Sequence, residues 1–129
     1  MSEMRVESPS SEELSEQVVK GMLEMKATDI KIMDLRSVKH AVADFFIICS
    51  GNSDTQIDSI SESIEDEVQK NTKSRPWKRE GRQNKEWIII DYVDVVAHVF
   101  SKDKREFYAL EDLWADAKVT SMSGETLPE

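Results

Sequence analysis

The chain has 129 residues, 39% of them hydrophobic, which is the size and composition of one folded domain with one core. Its net charge of −9 argues against a protein that holds nucleic acid through its whole surface. No apolar run approaches the roughly 20 residues that cross a bilayer, the N-terminus lacks a signal core, and the single cysteine excludes an intrachain disulfide. We therefore expect a soluble, cytoplasmic protein.

The first half of the chain predicts a helix and a strand behind a flexible start, residues 1–9. Ser10 and Glu13 have the spacing of a capping box, and apolar residues then recur at helical spacing over residues 11–25. Alternating apolar and charged residues in DIKIMDL indicate a half-buried strand.

A second strand and helix follow. The continuous apolar run ADFFIICS is typical of a strand that is covered on both faces. Gly51 allows a turn, and Ser53 with Gln56 three residues later predicts the start of a helix that ends near Lys70.

The second half predicts a short edge strand at WKREG, two strands over residues 86–91 and 94–100, and a helical segment over 107–117. This order of elements predicts a single α/β domain over residues 10–118, with helices packed on a mixed sheet of about five strands. We expect residues 119–129 to form a flexible tail.

The acidic corner at residues 91–94, DYVD, joins the last two strands as a hairpin. With Tyr92 and Val93 as the turn, Asp91 would pair with Asp94, and Trp87 with His98. Alternation then gives one wholly apolar face and one that mixes aromatic, aliphatic and acidic groups. The mixed face carries Trp87, Ile89, Asp91, Asp94, Val96, His98 and Phe100.

Two interpretations of the mixed face stay open. Aromatic anchors within a charged rim are typical of surfaces that recognise another protein. Alternatively, the C-terminal segment folds over the face and makes it ordinary core.

Enzymatic interpretations are weaker. Asp91 and Asp94, with Asp44, are candidate magnesium ligands, although aspartates at a turn usually serve the turn itself. The GNSD segment is similar to the start of a nucleotidyltransferase site, but Gln56 stands where a second acid is needed to bind metal. We predict neither catalytic residues nor a cofactor, and keep a metal-dependent nucleotidyltransferase as the alternative.

One stretch of the chain is basic. Its cations, opposed only by Glu80, are Lys70, Lys73, Arg75, Lys78, Arg79, Arg82 and Lys85. Such a run usually forms a solvated loop, and a contact with RNA phosphates is the second interpretation.

Three blocks of the sequence together resemble the Iojap and ribosomal silencing factor (RsfS) family. They are ADFFIICSGNSDTQIDSISESIEDE, WIIIDYVDVVAHVF and REFYALEDLW, and the similarity extends over residues 11–117. The resemblance implies a fold related in shape to nucleotidyltransferases but without their activity. It also implies a factor that binds protein uL14 of the large ribosomal subunit, blocks joining of the small subunit and so represses translation, with relatives that assist large-subunit biogenesis in organelles.

The resemblance further implies which residues bind the partner: Trp87, Asp91, Tyr92, Asp94, His98 and Tyr108. A contact of the basic stretch with rRNA at the rim of this surface, which its charge alone suggests, stays open. Family members often form homodimers, so a homodimeric scaffold is a further alternative. The family usually has glycine where this chain has Val93, and because valine disfavours a positive φ, a turn of another shape is expected here.

Overall fold

A computed structural model describes residues 9–108 and 117–122, except for the side chains of residues 106–108 and 122. Within these residues the elements are α1 (Ser11–Glu24), β1 (Thr28–Asp34), β2 (Phe45–Gly51), α2 (Asp54–Thr72), β3 (Lys78–Glu80), β4 (Trp87–Asp91), β5 (Val95–Ser101), α3 (Lys102–Tyr108) and β6 (Lys118–Met122). The predicted α/β class with one mixed sheet is confirmed.

The strands form one sheet in the order β3-β4-β5-β2-β1-β6. β2 and β5 pair in parallel at its centre, and the other neighbours are antiparallel. The sequence predicted about five strands, and the described sheet has six because β6 pairs with β1. β6 reaches into the tail predicted from residue 119, whereas residues 123–129 lie outside the described residues.

Capping fixes where the two long helices begin. Ser10 Oγ accepts from the Glu13 amide at 3.0 Å, and Glu13 Oε1 accepts from the Ser10 amide at 2.9 Å, which confirms the predicted capping box. Ser53 Oγ accepts from the Gln56 amide at 3.1 Å and caps α2, but the reciprocal bond of a capping box is absent because Gln56 Oε1 accepts from the Asn52 amide instead.

The two long helices pack closely where they cross at Gly21. Ser63 Oγ donates to the Gly21 carbonyl at 2.8 Å, and a Cβ at position 21 would lie 2.6 Å from Ile64 Cα. A larger residue would therefore push α1 away from α2.

Both faces of the sheet are buried at its central strands, β2 and β5. All seven residues of β2 are buried, as the continuous apolar run predicted. The face under α1 and α2 carries the apolar side chains predicted for it: Ile88, Ile90, Val95, Ala97 and Val99. The other face, which we call the far face, includes Phe46, Ile48, Val96 and Phe100, with Leu35 and Ala43 from the β1–β2 connection packed among them.

The predicted register of the β4–β5 hairpin is wrong by two residues. Asp91 pairs with Val96 rather than Asp94, and Trp87 pairs with Phe100 rather than His98. The turn is longer than two residues because the Tyr92 amide donates to the Val95 carbonyl at 2.9 Å. A displacement of two residues keeps every side chain on its predicted face, since alternation has a period of two.

Val93 occupies a strained position in this turn. Its φ is +78°, and the Asp94 amide donates to the Tyr92 carbonyl across it at 3.0 Å, which makes a tight three-residue turn of the rarer hand. Asp91 Oδ1 accepts from the Val93 amide at 2.7 Å and holds the turn in place. The premise that valine would avoid a positive φ here is therefore wrong, because Val93 adopts the φ that its branched side chain disfavours.

We predict that Val93→Gly raises the free energy of unfolding by ~1 kcal/mol. Relief of strain of about 1–3 kcal/mol exceeds the roughly 0.5–1 kcal/mol that the greater freedom of unfolded glycine costs. Urea denaturation of the two proteins measures the difference.

Val42→Gly is the matched control, because Val42 is an exposed loop valine without a positive φ. This variant should lose about 0.5 kcal/mol through the unfolded state alone. Destabilisation of both variants to the same extent would show that Val93 is not strained.

Candidate partner-binding surface

The acidic corner, residues 91–94, is rigid in its backbone. The Asp94 carbonyl accepts from the Asp44 amide at 2.7 Å and from the Phe45 amide at 3.1 Å, which ties the corner to the start of β2. Together with the turn hydrogen bonds across Val93, these contacts leave the corner little freedom.

Two side chains of the corner, those of Val93 and Asp94, are exposed to solvent. Val93 is 54% exposed, and the exposed Asp94 carboxylate makes no hydrogen bond or ion pair within residues 9–108 and 117–122. Val42, 74% exposed, lies two residues before Asp44 at the same end of the sheet. This end of the sheet therefore presents aliphatic groups beside acidic ones, a combination suited to a basic partner.

Trp87 and His98 meet on the far face, as predicted, although they are not a strand pair. Trp87 Nε1 donates to His98 Nδ1 at 3.0 Å, so the neutral imidazole carries its proton on Nε2. The Trp87 ring stacks on Phe100 with centroids 5.0 Å apart, and Phe46 meets the His98 ring edge to face at 4.8 Å.

His98 lies deeper than a surface residue would. It is 4% exposed, and burial lowers the pKa of its imidazole to about 3. The ring is therefore neutral at physiological pH, and its Nε2 has no hydrogen-bond partner in the described structure. A buried, neutral imidazole does not suit a general base, but it orients the half-buried Trp87.

The remaining predicted site residues do not share one surface. Tyr92 is 7% exposed and packs in the core under α1 and α2, where burial raises the pKa of its phenol. The half-buried Asp91 uses Oδ1 to hold the Val93 amide. The side chain of Tyr108 lies outside the described residues. The structure thus brings Trp87 and His98 into contact, places Asp91 and Asp94 on either side of the turn without a contact between them, and separates the buried Tyr92 from the exposed Asp94.

Gln56 performs a structural task at the GNSD segment. Its Nε2 donates to the carbonyls of Met25 and Lys26, both at 3.1 Å, and its Oε1 accepts from the Asn52 amide at 2.6 Å. The residue that replaces the expected second acid therefore links the end of α1 to the start of α2. In the part of the chain that the structure describes, no three His, Cys, Asp or Glu side chains converge as metal ligands would.

The basic stretch is largely neutralised by α2, which the sequence alone did not indicate. Arg79 forms two hydrogen bonds to the Glu65 carboxylate, at 2.6 and 2.8 Å. Arg82 and Lys85 both pair with Asp58. The acids at positions 58 and 65 are two helical turns apart, so the sequence predicts that they share the polar face of α2. It does not predict that this face lies beside β3.

Two exposed apolar side chains were missed by sequence reasoning. Val42 and Trp77 are 74% and 69% exposed, each within a polar connecting segment. An isolated large apolar residue between two elements is the signal that could have singled them out, because it adds nothing to a strand or helix face.

No helix in the described residues has the length and hydropathy needed to span a membrane.

We predict that burial of neutral His98 makes stability fall below pH 6.5. Between pH 6.5 and about 3 the unfolded chain binds a proton at His98 that the folded chain excludes. The contribution of neutral His98 to the free energy of unfolding is complete above pH 6.5, and it declines by up to ~1.4 kcal/mol per pH unit as the pH falls. Urea denaturation at pH 7, 6, 5 and 4, with wild type and His98→Gln compared, measures it.

His40→Gln is the control, because it removes an exposed imidazole instead of a buried one. This variant should keep the slope of the wild type, whereas His98→Gln should flatten it. An unchanged slope in His98→Gln would contradict the assignment of His98 as a buried neutral group.

The sequence of the chain matches a known protein family and several of its members. Residues 8–129 match the family described as "Ribosomal silencing factor during starvation". Ribosomal silencing factor RsfS of Bacillus subtilis is 41% identical over 97 residues, which are 75% of this chain and 80% of that protein. The mouse protein named "Mitochondrial assembly of ribosomal large subunit protein 1" is 32% identical over 93 residues, 67% of this chain and 40% of its own length.

The fold also matches a solved structure. A crystal structure of a Bacillus halodurans protein has a TM-score of 0.74 and 31% identity to this chain, and the alignment covers 87% of this chain and all of that one. The predicted resemblance is thus confirmed, and the chain belongs to the ribosomal silencing factor family, which includes RsfS and the Iojap proteins.

Proposed function

We propose that this chain binds the large ribosomal subunit through ribosomal protein uL14 and prevents the small subunit from joining, which represses translation. The family description supports a role on the ribosome, and the name of the mouse relative refers to assembly of the large subunit. The chain acts in the cytoplasm by occupying a surface, and it catalyses no reaction.

The observation that carries this proposal is the rigid acidic corner. Its backbone is held by hydrogen bonds to β2, while the Val93 and Asp94 side chains stay exposed. A ribosomal protein is typically basic, so complementary charge steers it to the corner, and a preformed backbone loses little entropy on binding.

The predicted site residues divide into two roles. Asp91, Asp94 and the exposed part of Trp87 contact the ribosomal protein. His98 and Tyr92 support them from below, His98 by orienting the indole and Tyr92 by filling the core beneath the turn. Tyr108 stays a predicted contact.

We predict that Asp94→Lys weakens binding to isolated large subunits by roughly 10-fold or more, because it replaces an attractive charge by a repulsive one at the contact. The measurement is subunit joining: the protein is added to purified large subunits, small subunits follow, and whole ribosomes are quantified by sedimentation. Wild type should lower their yield, and Asp94→Lys should restore it.

Glu24→Lys makes the same change of charge at an exposed residue in the last turn of α1, near the end of the sheet where Thr28 pairs with Ser50 and away from the corner, and should inhibit joining as wild type does. Loss of inhibition in both variants would mean that net charge, not the corner, governs binding. Free joining in the presence of saturating wild-type protein would refute the proposed function itself.

A further inference from the structure

The side chain of Trp77 does not pack in the hydrophobic core. It is 69% exposed, and the Lys78 ammonium lies 5.4 Å from the centroid of its ring. Its amide donates to the Asp91 carbonyl at 2.7 Å, so it stands at the start of edge strand β3, directly beside the acidic corner.

The segment that carries Trp77, residues 73–78, is fixed at both ends. Lys73 ends α2 in the left-handed conformation, with φ +63°, and its amide donates to the Gln69 carbonyl. The Ser74 amide donates to Thr72 Oγ1 at 3.2 Å. The hydrogen bond from Trp77 to Asp91 fixes the other end, so the indole is held on an ordered support.

Uncompensated positive charge is concentrated in this segment. Lys73 and Arg75 are exposed, and neither forms an ion pair with any residue that the structure describes. The Lys78 ammonium forms an ion pair with the Glu80 carboxylate at 3.1 Å. Farther along the basic stretch, the arginines are paired with acids of α2.

We propose that residues 73–78 bind an unpaired nucleotide of RNA, with its base stacked on the Trp77 indole and its phosphates beside Lys73 and Arg75. An exposed indole flanked by free cations has the chemistry of a single-stranded RNA contact, because every base offers a face to stack on and the backbone is anionic. The inference rests on the proposed function, since the RNA would be that of the large subunit.

A protein ligand fits this segment less well. β3 has only three residues, which gives little edge for a partner strand to extend, and the free cations beside Trp77 would repel the basic protein that the corner favours. The two surfaces share one end of the sheet and differ in sign of charge. They thus suit the two components of a ribosomal surface, protein at the corner and RNA beside it.

The first test is crosslinking on purified large subunits. A photoreactive amino acid is incorporated at position 77, and in a control protein at position 119, an exposed valine on β6 at the opposite edge of the sheet. Position 77 should crosslink to RNA, in a product that ribonuclease shortens, and position 119 should not. A crosslink from position 77 to protein alone would overturn the RNA assignment in favour of a protein contact.

The second test measures affinity for large subunits as a function of salt. Trp77→Ala should weaken binding about 10-fold through loss of stacking. The double variant Lys73→Ala, Arg75→Ala should reduce the dependence of log K on log salt by about 1.4, since two phosphate contacts to a single strand are lost and each contributes about 0.7. Lys31→Ala, a single-cation change on β1, should leave the affinity unchanged.

The outcomes separate the two proposals. Binding by wild type with unchanged affinity and salt dependence in the residue 73, 75 and 77 variants would overturn the RNA contact and leave the proposed function intact. Failure of wild type itself to bind large subunits would overturn both.

Discussion

The parallel pairing of β2 with β5 is the constraint on which the rest of the structure depends. It begins at Phe45 and Val95, and the carbonyl just before β5, that of Asp94, accepts from the amides just before and at the start of β2. One backbone group therefore sets both the start of the central strand pair and the position of the acidic corner. A shift in this pairing would move the corner as well, so core and binding surface are specified together.

Burial of both sheet faces determines where function can reside. Ile47 and Ile48, adjacent on β2, are both fully buried, one against the helices and one on the far face. Little apolar surface of the central strands is left to meet a partner. Exposed apolar side chains are instead found at strand ends, turns and edges of the sheet, among them Val42, Trp77 and Val93.

The sequence predicted what depends on local physics and missed what depends on distant contacts. The capping box at Ser10 and the alternation of faces around Ile88 could be read because each involves neighbours in the chain. The hairpin register could not, because it depends on a hydrogen bond between Tyr92 and Val95 that forms only when Val93 accepts a disfavoured φ. β6 was also missed, since residues 118–121 are exposed and mostly polar and become a strand by pairing with β1.

The residues of the candidate site could be predicted from the sequence, but the extent to which each is buried could not. Charge and aromatic content identified the corner and the Trp87–His98 neighbourhood, but alternation alone placed His98 on a face without indicating whether that face is covered. The strained Val93 adds a reason to regard the corner as functional, because a disfavoured φ at an exposed turn contributes nothing to the core. Glycine there would relax the turn and would also delete an exposed apolar side chain beside Asp94. Because the family that this chain resembles usually has glycine at this position, recognition at the corner depends on the Asp94 carboxylate and the fixed backbone, and the Val93 side chain adds apolar area that is particular to this chain.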